Sequence, residues 1–176
     1  MTTVSRGAYG DTRGEEAKEP ISVVAGPYGH PFHPLLVTVP IGAWVGSLVL
    51  DIASHGVDQP GALARGAYWM IAVGIIGALL AAVFGLLDLL TIPRGTRAFK
   101  VAIVHMAINL TVVALFVVSW LVRAADGFGA ATRALPLVLS IVAIALLLVS
   151  GWLGGMLAYH YGVRVADEQT QAEGFR

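Results

Sequence analysis

Four long runs of apolar residues alternate with short polar segments along this chain. The runs cover residues 35–53, 64–92, 99–122 and 135–161. About 20 apolar residues in a helix cross a hydrocarbon core of about 30 Å. Each run is close to that length or exceeds it. The pattern therefore predicts an all-α integral membrane protein, a four-helix bundle with up-down-up-down topology.

Turn-forming residues separate these runs. Pro31 and Pro34 restrict the backbone before the first run, so predicted helix 1 begins at or just after Pro34. Pro40 lies inside this helix and predicts a kink. The second run lies between two turn sequences, Asp58-Gln59-Pro60-Gly61 and Pro93-Arg94-Gly95-Thr96.

Polar tails flank the apolar runs. Residues 1–26 contain several glycines and charged residues, and they predict a disordered polar N-terminal tail. This tail lacks the basic start and apolar core of a cleavable signal peptide. Residues 27–162 form the predicted four-helix transmembrane domain, and residues 163–176 form a polar C-terminal tail.

The composition agrees with a membrane location. Hydrophobic residues make up 57% of the chain and charged residues 12%, whereas soluble domains contain about 25% charged residues. Membrane lipid is therefore the predicted partner. The formal net charge is zero, so no nucleic-acid partner is predicted. The chain has no cysteine, which excludes disulfides and thiolate metal ligands.

An even number of spans places both termini on one side of the membrane, which we call side one. The opposite side is side two. Side one also contains the loop at residues 93–98. More basic residues lie near the helix ends on side one than on side two, so the positive-inside rule predicts that both termini are cytoplasmic.

The helix directions bring ionisable residues together near side one. The candidates lie at the start of helices 1 and 3 and at the end of helices 2 and 4: His30, His33, Asp88, His105 and His160. Asn109 follows His105 by one helical turn, so both side chains share a helix face. Ionisable residues within membrane helices are costly and indicate a functional site.

Imidazole is the commonest side-chain metal ligand and also an axial ligand of haem. Helical bundles build cofactor sites from side chains on facing helices. The sequence therefore predicts a haem b-binding membrane protein. A role as a redox carrier is favoured over a role as a catalyst. His105 is the best axial candidate, with His33 or His160 as its partner, while Asp88 and Asn109 orient the imidazoles. Space for the macrocycle is expected at three glycines of helix 4: Gly151, Gly154 and Gly155.

Other interpretations use the same side chains. A transition metal ion is one alternative, held by four histidines and one carboxylate: His30, His33, His105, His160 and Asp88. A structural or assembly protein is another, in which an Asp88–His105 pair only locks helices together. A proton relay has less support, because Asp51 alone is available near side two. Ser/His/Asp catalysis is not predicted, because no serine is expected near the histidines.

The sequence from Gly29 to Val37, Gly29-His30-Pro31-Phe32-His33-Pro34-Leu35-Leu36-Val37, resembles the opening of a bacterial membrane family, domain of unknown function 2231. Four later blocks resemble that family in the same order: Gly85-Leu86-Leu87-Asp88, Ile92-Pro93-Arg94-Gly95-Thr96, His105 with Asn109, and Gly151-Trp152-Leu153-Gly154-Gly155 followed by Tyr159-His160-Tyr161-Gly162. The resemblance covers residues 27–166. No activity is assigned to the family.

Relatives of this kind joined to Rieske-type iron–sulfur or cytochrome domains suggest electron transfer in the bacterial inner membrane. The resemblance therefore implies a separate redox partner protein, because this chain carries no such domain. A homo-oligomer is also compatible with the sequence.

Overall fold

A computed structural model describes residues 12–175, and the regular structure in this part of the chain is entirely helical. Four of its helical segments are long and apolar enough to cross a membrane. We call them spans 1 to 4, in the order Phe32–Ser54, Gly61–Thr91, Arg97–Asp126 and Ala134–His160. The predicted all-α, four-helix membrane fold is therefore confirmed.

The spans form two antiparallel hairpins that pack against each other. Span 1 lies along span 2, and span 3 lies along span 4. Spans 2 and 3 contact each other, as do spans 1 and 4, which closes the bundle. Short helices precede and follow this bundle at Thr12–Glu16 and Glu168–Glu173.

Span 1 starts earlier than predicted and is interrupted near its start. Helix Phe32–Leu36 is followed by helix Thr38–Ser54, with Val37 between them. Pro34 is accepted because the first turn of a helix needs no donor there. Pro40 has no N–H to donate to the carbonyl one turn upstream, and the interruption at Val37 lies in that turn.

The ends of the other spans differ from prediction by a few residues. Span 2 begins at Gly61, and span 3 extends from Arg97 to Asp126. Thr96 caps span 3, because its Oγ1 accepts a hydrogen bond of 3.1 Å from the Phe99 N–H. Span 4 ends in a π-helical turn at Met156–His160.

The apolar core of the bundle is narrow and centres on an aromatic stack. The rings of Trp44 and Phe116 lie 4.3 Å apart and nearly parallel. Ile71, Val112 and Ala143 surround this stack and are also buried. Many leucine, isoleucine and valine side chains of the spans are exposed on the outer surface of the bundle, as expected for helices that face lipid.

A buried ion pair joins the spans near side two. The Arg123 guanidinium donates two hydrogen bonds to the Asp51 carboxylate, at 2.6 and 2.7 Å. Asp51 is 0% exposed and Arg123 is 4% exposed. The Thr132 hydroxyl also donates to Asp51, at 2.8 Å, and the Ser119 hydroxyl accepts from Arg123 at 3.2 Å. This network connects spans 1 and 3 to the loop that precedes span 4.

Replacing Arg123 with glutamine is expected to lower the free energy of unfolding by about 3–5 kcal/mol, because a buried carboxylate loses its partner. Arg133→Gln is the matched control. Arg133 is exposed and pairs with Asp126 at 2.6 Å, so its loss should cost less than about 1 kcal/mol. Unfolding in mild detergent, followed by circular dichroism, measures both. Equal losses of unfolding free energy in the two variants would contradict the conclusion that the buried pair stabilises the protein more than the exposed pair does.

Candidate functional site

Polar side chains from all four spans meet near side one. We call this set the polar layer, and it comprises His33, Asp88, His105, Asn109 and Ser150. The His33 and His105 rings lie 6.5 Å apart in an edge-to-face arrangement. Ser150 and Asn109 both contact His105, and the His33 ring packs against span 2 at Gly85, one helical turn before Asp88. The layer therefore brings together spans that are distant in sequence.

Both ring nitrogens of His105 are occupied by neighbouring groups. The Asn109 side-chain nitrogen lies 2.9 Å from the His105 carbonyl oxygen, which can only accept, and 3.1 Å from His105 Nε2. Nε2 is therefore the acceptor, and Nδ1 carries the proton. Nδ1 lies 2.9 Å from the Ser150 carbonyl and 3.0 Å from its hydroxyl. His105 thus has no ring nitrogen left for a ligand.

His33 differs from His105 in having one ring nitrogen without a partner within residues 12–175. Its Nδ1 donates a hydrogen bond of 2.8 Å to the Ala81 carbonyl in span 2. Its Nε2 makes no hydrogen bond with any residue that the structure describes. Gly85 leaves space for this ring, because a Cβ there would lie 2.9 Å from His33 Cε1. His33 is therefore a fixed imidazole with one free nitrogen.

Asp88 forms its ion pair with Arg164. Arg164 Nε lies 2.9 Å from Asp88 Oδ1, without an aligned hydrogen bond. The same guanidinium donates to the carbonyls of Ala25 and Gly26, at 3.2 and 3.1 Å. The Arg164 backbone N–H donates to the Ala17 carbonyl at 2.9 Å. One buried side chain therefore holds span 2, the C-terminal segment and the N-terminal segment together.

These contacts form a cover over the side-one end of the bundle, which we call the terminal cap: residues 17–28 and 163–167. Ala17 and Val163 are buried together with Ile92 at the end of span 2. The Tyr28 hydroxyl accepts a hydrogen bond of 2.7 Å from the Asp167 backbone N–H. The Thr170 N–H donates to the Asp167 carboxylate and holds the pKa of that group below its ordinary value.

The cap includes part of the predicted N-terminal tail. Residues 1–11 of that tail lie outside the described residues. Residues 12–26 contain the helix Thr12–Glu16 and a 3₁₀ turn at Val23–Ala25. The domain boundaries at residues 26 and 162 stay a prediction.

The structure brings together four of the six candidate site residues. His33, Asp88, His105 and Asn109 lie in the polar layer. His30 is exposed, with its Nδ1 at 3.4 Å from the Tyr28 carbonyl. His160 is also exposed and lies beside Tyr161.

Three features of the structure were not predicted from the sequence. Asp88 pairs with Arg164, not with His105. The prediction that no serine lies near the histidines was wrong, because Ser150 contacts His105. The Asp51–Arg123 pair near side two was not predicted either. One sequence pattern could have indicated both ion pairs. In each case, residues of opposite charge lie near helix ends on the same side of the membrane.

Residues 29–167 match a family described as a predicted membrane protein, DUF2231. The chain belongs to the DUF2231 family. The resemblance noted in the sequence is thereby confirmed, and so is a membrane location with several spans. Comparisons with curated proteins and with solved structures gave no match.

The prediction of a haem b-binding electron-transfer protein is wrong. DUF2231 is described only as a predicted membrane protein. Within residues 12–175, no group of three or more His, Cys, Asp or Glu side chains could hold a metal ion. The physical reason lies in His105, whose two ring nitrogens are already hydrogen-bonded. Gly154 makes room for the His105 ring, because a Cβ at that position would lie 3.2 Å from His105 Cε1. The space at this glycine is therefore filled by the imidazole and not left for a macrocycle.

The transition-metal alternative is wrong for the same reason. It required four histidines and Asp88 to converge: His30, His33, His105, His160 and Asp88. Two of these histidines are exposed outside the layer, and Asp88 is paired with Arg164. The residues present therefore fit neither haem nor a metal ion.

Gly85→Ala is expected to lower stability by about 1–3 kcal/mol, because the new methyl group would overlap the His33 ring. Gly151→Ala is the matched control. A Cβ at Gly151 would meet no atom within 4 Å, and alanine favours a helix by about 0.5–1 kcal/mol over glycine. Thermal unfolding in detergent should shift in opposite directions for the two variants. A neutral or stabilising Gly85→Ala would contradict the placement of His33.

Proposed function

We propose that this DUF2231 protein is a proton-responsive domain of the bacterial inner membrane. In this proposal His33 binds a proton, and the bound proton weakens the attachment of the terminal cap to the bundle. The observation that carries the proposal is the position of His33: its ring packs against Gly85, one helical turn before Asp88, and its Nε2 has no hydrogen-bond partner among the residues that the structure describes. Imidazole is the side chain whose ordinary pKa, about 6.5, lies within the physiological range.

The two buried ion pairs of the protein differ in a way that supports this proposal. Asp51 and Arg123 are joined by two short hydrogen bonds. Asp88 and Arg164 have no aligned hydrogen bond. Because the strength of a buried pair depends on its geometry, the Asp88–Arg164 pair is the one that a nearby charge perturbs more easily.

Protonation of His33 places a second cation beside Asp88. The His33 and Arg164 cations then repel each other across the shared carboxylate, so the net attraction that holds Arg164 at this site weakens. His105 faces His33 from span 3, with its Nε2 already accepting a hydrogen bond. Span 4 contributes Ser150, whose hydroxyl does not titrate in the physiological pH range. The cap is therefore expected to be attached when His33 is neutral and loosened when it is protonated.

Two cavities of the protein lie away from the polar layer. An apolar groove of about 210 Å³ lies between spans 1 and 2, and a pocket of about 160 Å³ lies at the side-two loop. Neither is lined by His33 or His105. The proposed proton-binding site is therefore separate from both of these cavities.

The charges near the membrane surface support cytoplasmic termini. On side one, three basic residues near the start of span 3 are exposed: Arg94, Arg97 and Lys100. On side two, Arg65 is also exposed, whereas Arg123 and Arg133 are paired with Asp51 and Asp126. We therefore propose that His33 responds to the pH of the cytoplasm.

A homo-oligomer stays a prediction. The predicted redox partner no longer has a basis, because electron transfer is withdrawn.

Loosening of the cap can be measured with a spin label at Gln169→Cys. The native chain has no cysteine, and Gln169 is exposed in the helix that follows the cap. In lipid nanodiscs, the label should become more mobile as the pH falls from about 8 to about 5.5, a range that spans the ordinary imidazole pKa. His33→Gln cannot take up the proton and should abolish this change.

Three further variants make the experiment decisive. His30→Gln and His160→Gln remove exposed histidines on the same side and should leave the pH response unchanged. Arg164→Gln should give a mobile label at every pH, because the attachment is lost. A pH response that persists in His33→Gln, or no response in the unmodified background, would overturn the proposal and leave the polar layer as a contact between helices.

A further inference from the structure

The N-terminal half of the terminal cap exposes a patch of aliphatic side chains. Ile21 is 51% exposed, Val23 83% and Val24 61%. Ala25 and Gly26, which follow them directly, are buried. The short segment therefore has one face against the bundle and an aliphatic face directed away from it.

The depth of this segment follows from its contacts with Arg164. The guanidinium bonds to the carbonyls of Ala25 and Gly26 while its Nε lies 2.9 Å from Asp88. Asp88 precedes the last residue of span 2, Thr91, by three positions. At a rise of about 1.5 Å per residue, the Cα of Asp88 lies about 4.5 Å inside that end. The segment therefore lies close to the side-one end of span 2, and its 3₁₀ turn at Val23–Ala25 contacts that span directly.

Gly26 places the same segment against the first turn of span 1. A Cβ at Gly26 would overlap the His30 carbonyl and would lie 2.9 Å from the Phe32 nitrogen. Gly26 also has a φ of +96°, which favours glycine. The neighbouring outer surface of span 1 includes Leu35, which is exposed like the lipid-facing residues of the other spans. The aliphatic patch is thus next to the lipid-facing surface of the bundle.

We propose that residues 20–26 form an interfacial anchor, in which Ile21, Val23 and Val24 insert into the boundary between lipid headgroups and acyl chains on side one. Apolar side chains at this depth gain by leaving water, as in amphipathic segments that lie in a membrane interface. The surface beside them already faces lipid, so the bilayer is the partner that fits. This inference does not depend on proton binding by His33.

Spin labels at single cysteines test the anchor in vesicles of phosphatidylcholine and phosphatidylglycerol. Labels at Val23→Cys and Val24→Cys should collide strongly with oxygen, which concentrates in lipid, and weakly with a water-soluble nickel complex. A label at Glu19→Cys is the matched control, because Glu19 is a polar, exposed residue directly before this segment. It should show the opposite preference.

Two results would overturn the anchor. Equal nickel accessibility at Val23, Val24 and Glu19 would place the patch in water. Protection from both reagents at Val23 and Val24 would mean that protein covers the patch, for example a second copy of the chain.

A charged variant gives an independent measurement. Val23→Glu combined with Val24→Glu should move a label at Ile21→Cys from the oxygen-accessible to the nickel-accessible class. Its thermal unfolding in detergent should stay unchanged, because these side chains face away from the bundle. An Ile21 label that stays in lipid in this variant would contradict the proposal.

Discussion

The side-one end of this protein depends on the contact between Asp88 and Arg164. A charge buried near a membrane is costly unless it is paired, and Arg164 supplies the partner from outside the spans. The same guanidinium also satisfies the carbonyls of Ala25 and Gly26. Since these groups come from three separate parts of the chain, one side chain fixes the cap over the bundle.

Polar contacts are important for holding these helices together because the apolar core is narrow. Lipid solvates the outer faces of membrane helices, so the hydrophobic effect does little to hold one helix to another. Close packing at Trp44 and Phe116 supplies the central contact. The Asp51–Arg123 pair fixes the helices near side two. The two ends thus differ, with a tightly hydrogen-bonded pair at side two and a less well aligned pair with an adjacent imidazole at side one.

The number of spans and their directions were predictable, because apolar runs of this length have few alternatives in a membrane. Helix direction also correctly brought His33, Asp88 and His105 to the same end. Their partners were not predictable. Arg164 follows a π-helical turn and itself has a φ of +59°, a backbone geometry that no sequence pattern indicates. The haem prediction failed because it counted histidines without knowing that Asn109 and Ser150 occupy His105.

A double-mutant cycle on Asp88 and Arg164 tests the central claim most directly. The free energy of unfolding in mild detergent would be measured for Asp88→Asn, Arg164→Gln and the double variant. If the pair holds the cap to the bundle, the double variant loses less stability than the two single variants combined, with a coupling of roughly 0.5–3 kcal/mol. Strictly additive losses would contradict the claim, because they would mean that the two side chains stabilise the protein independently.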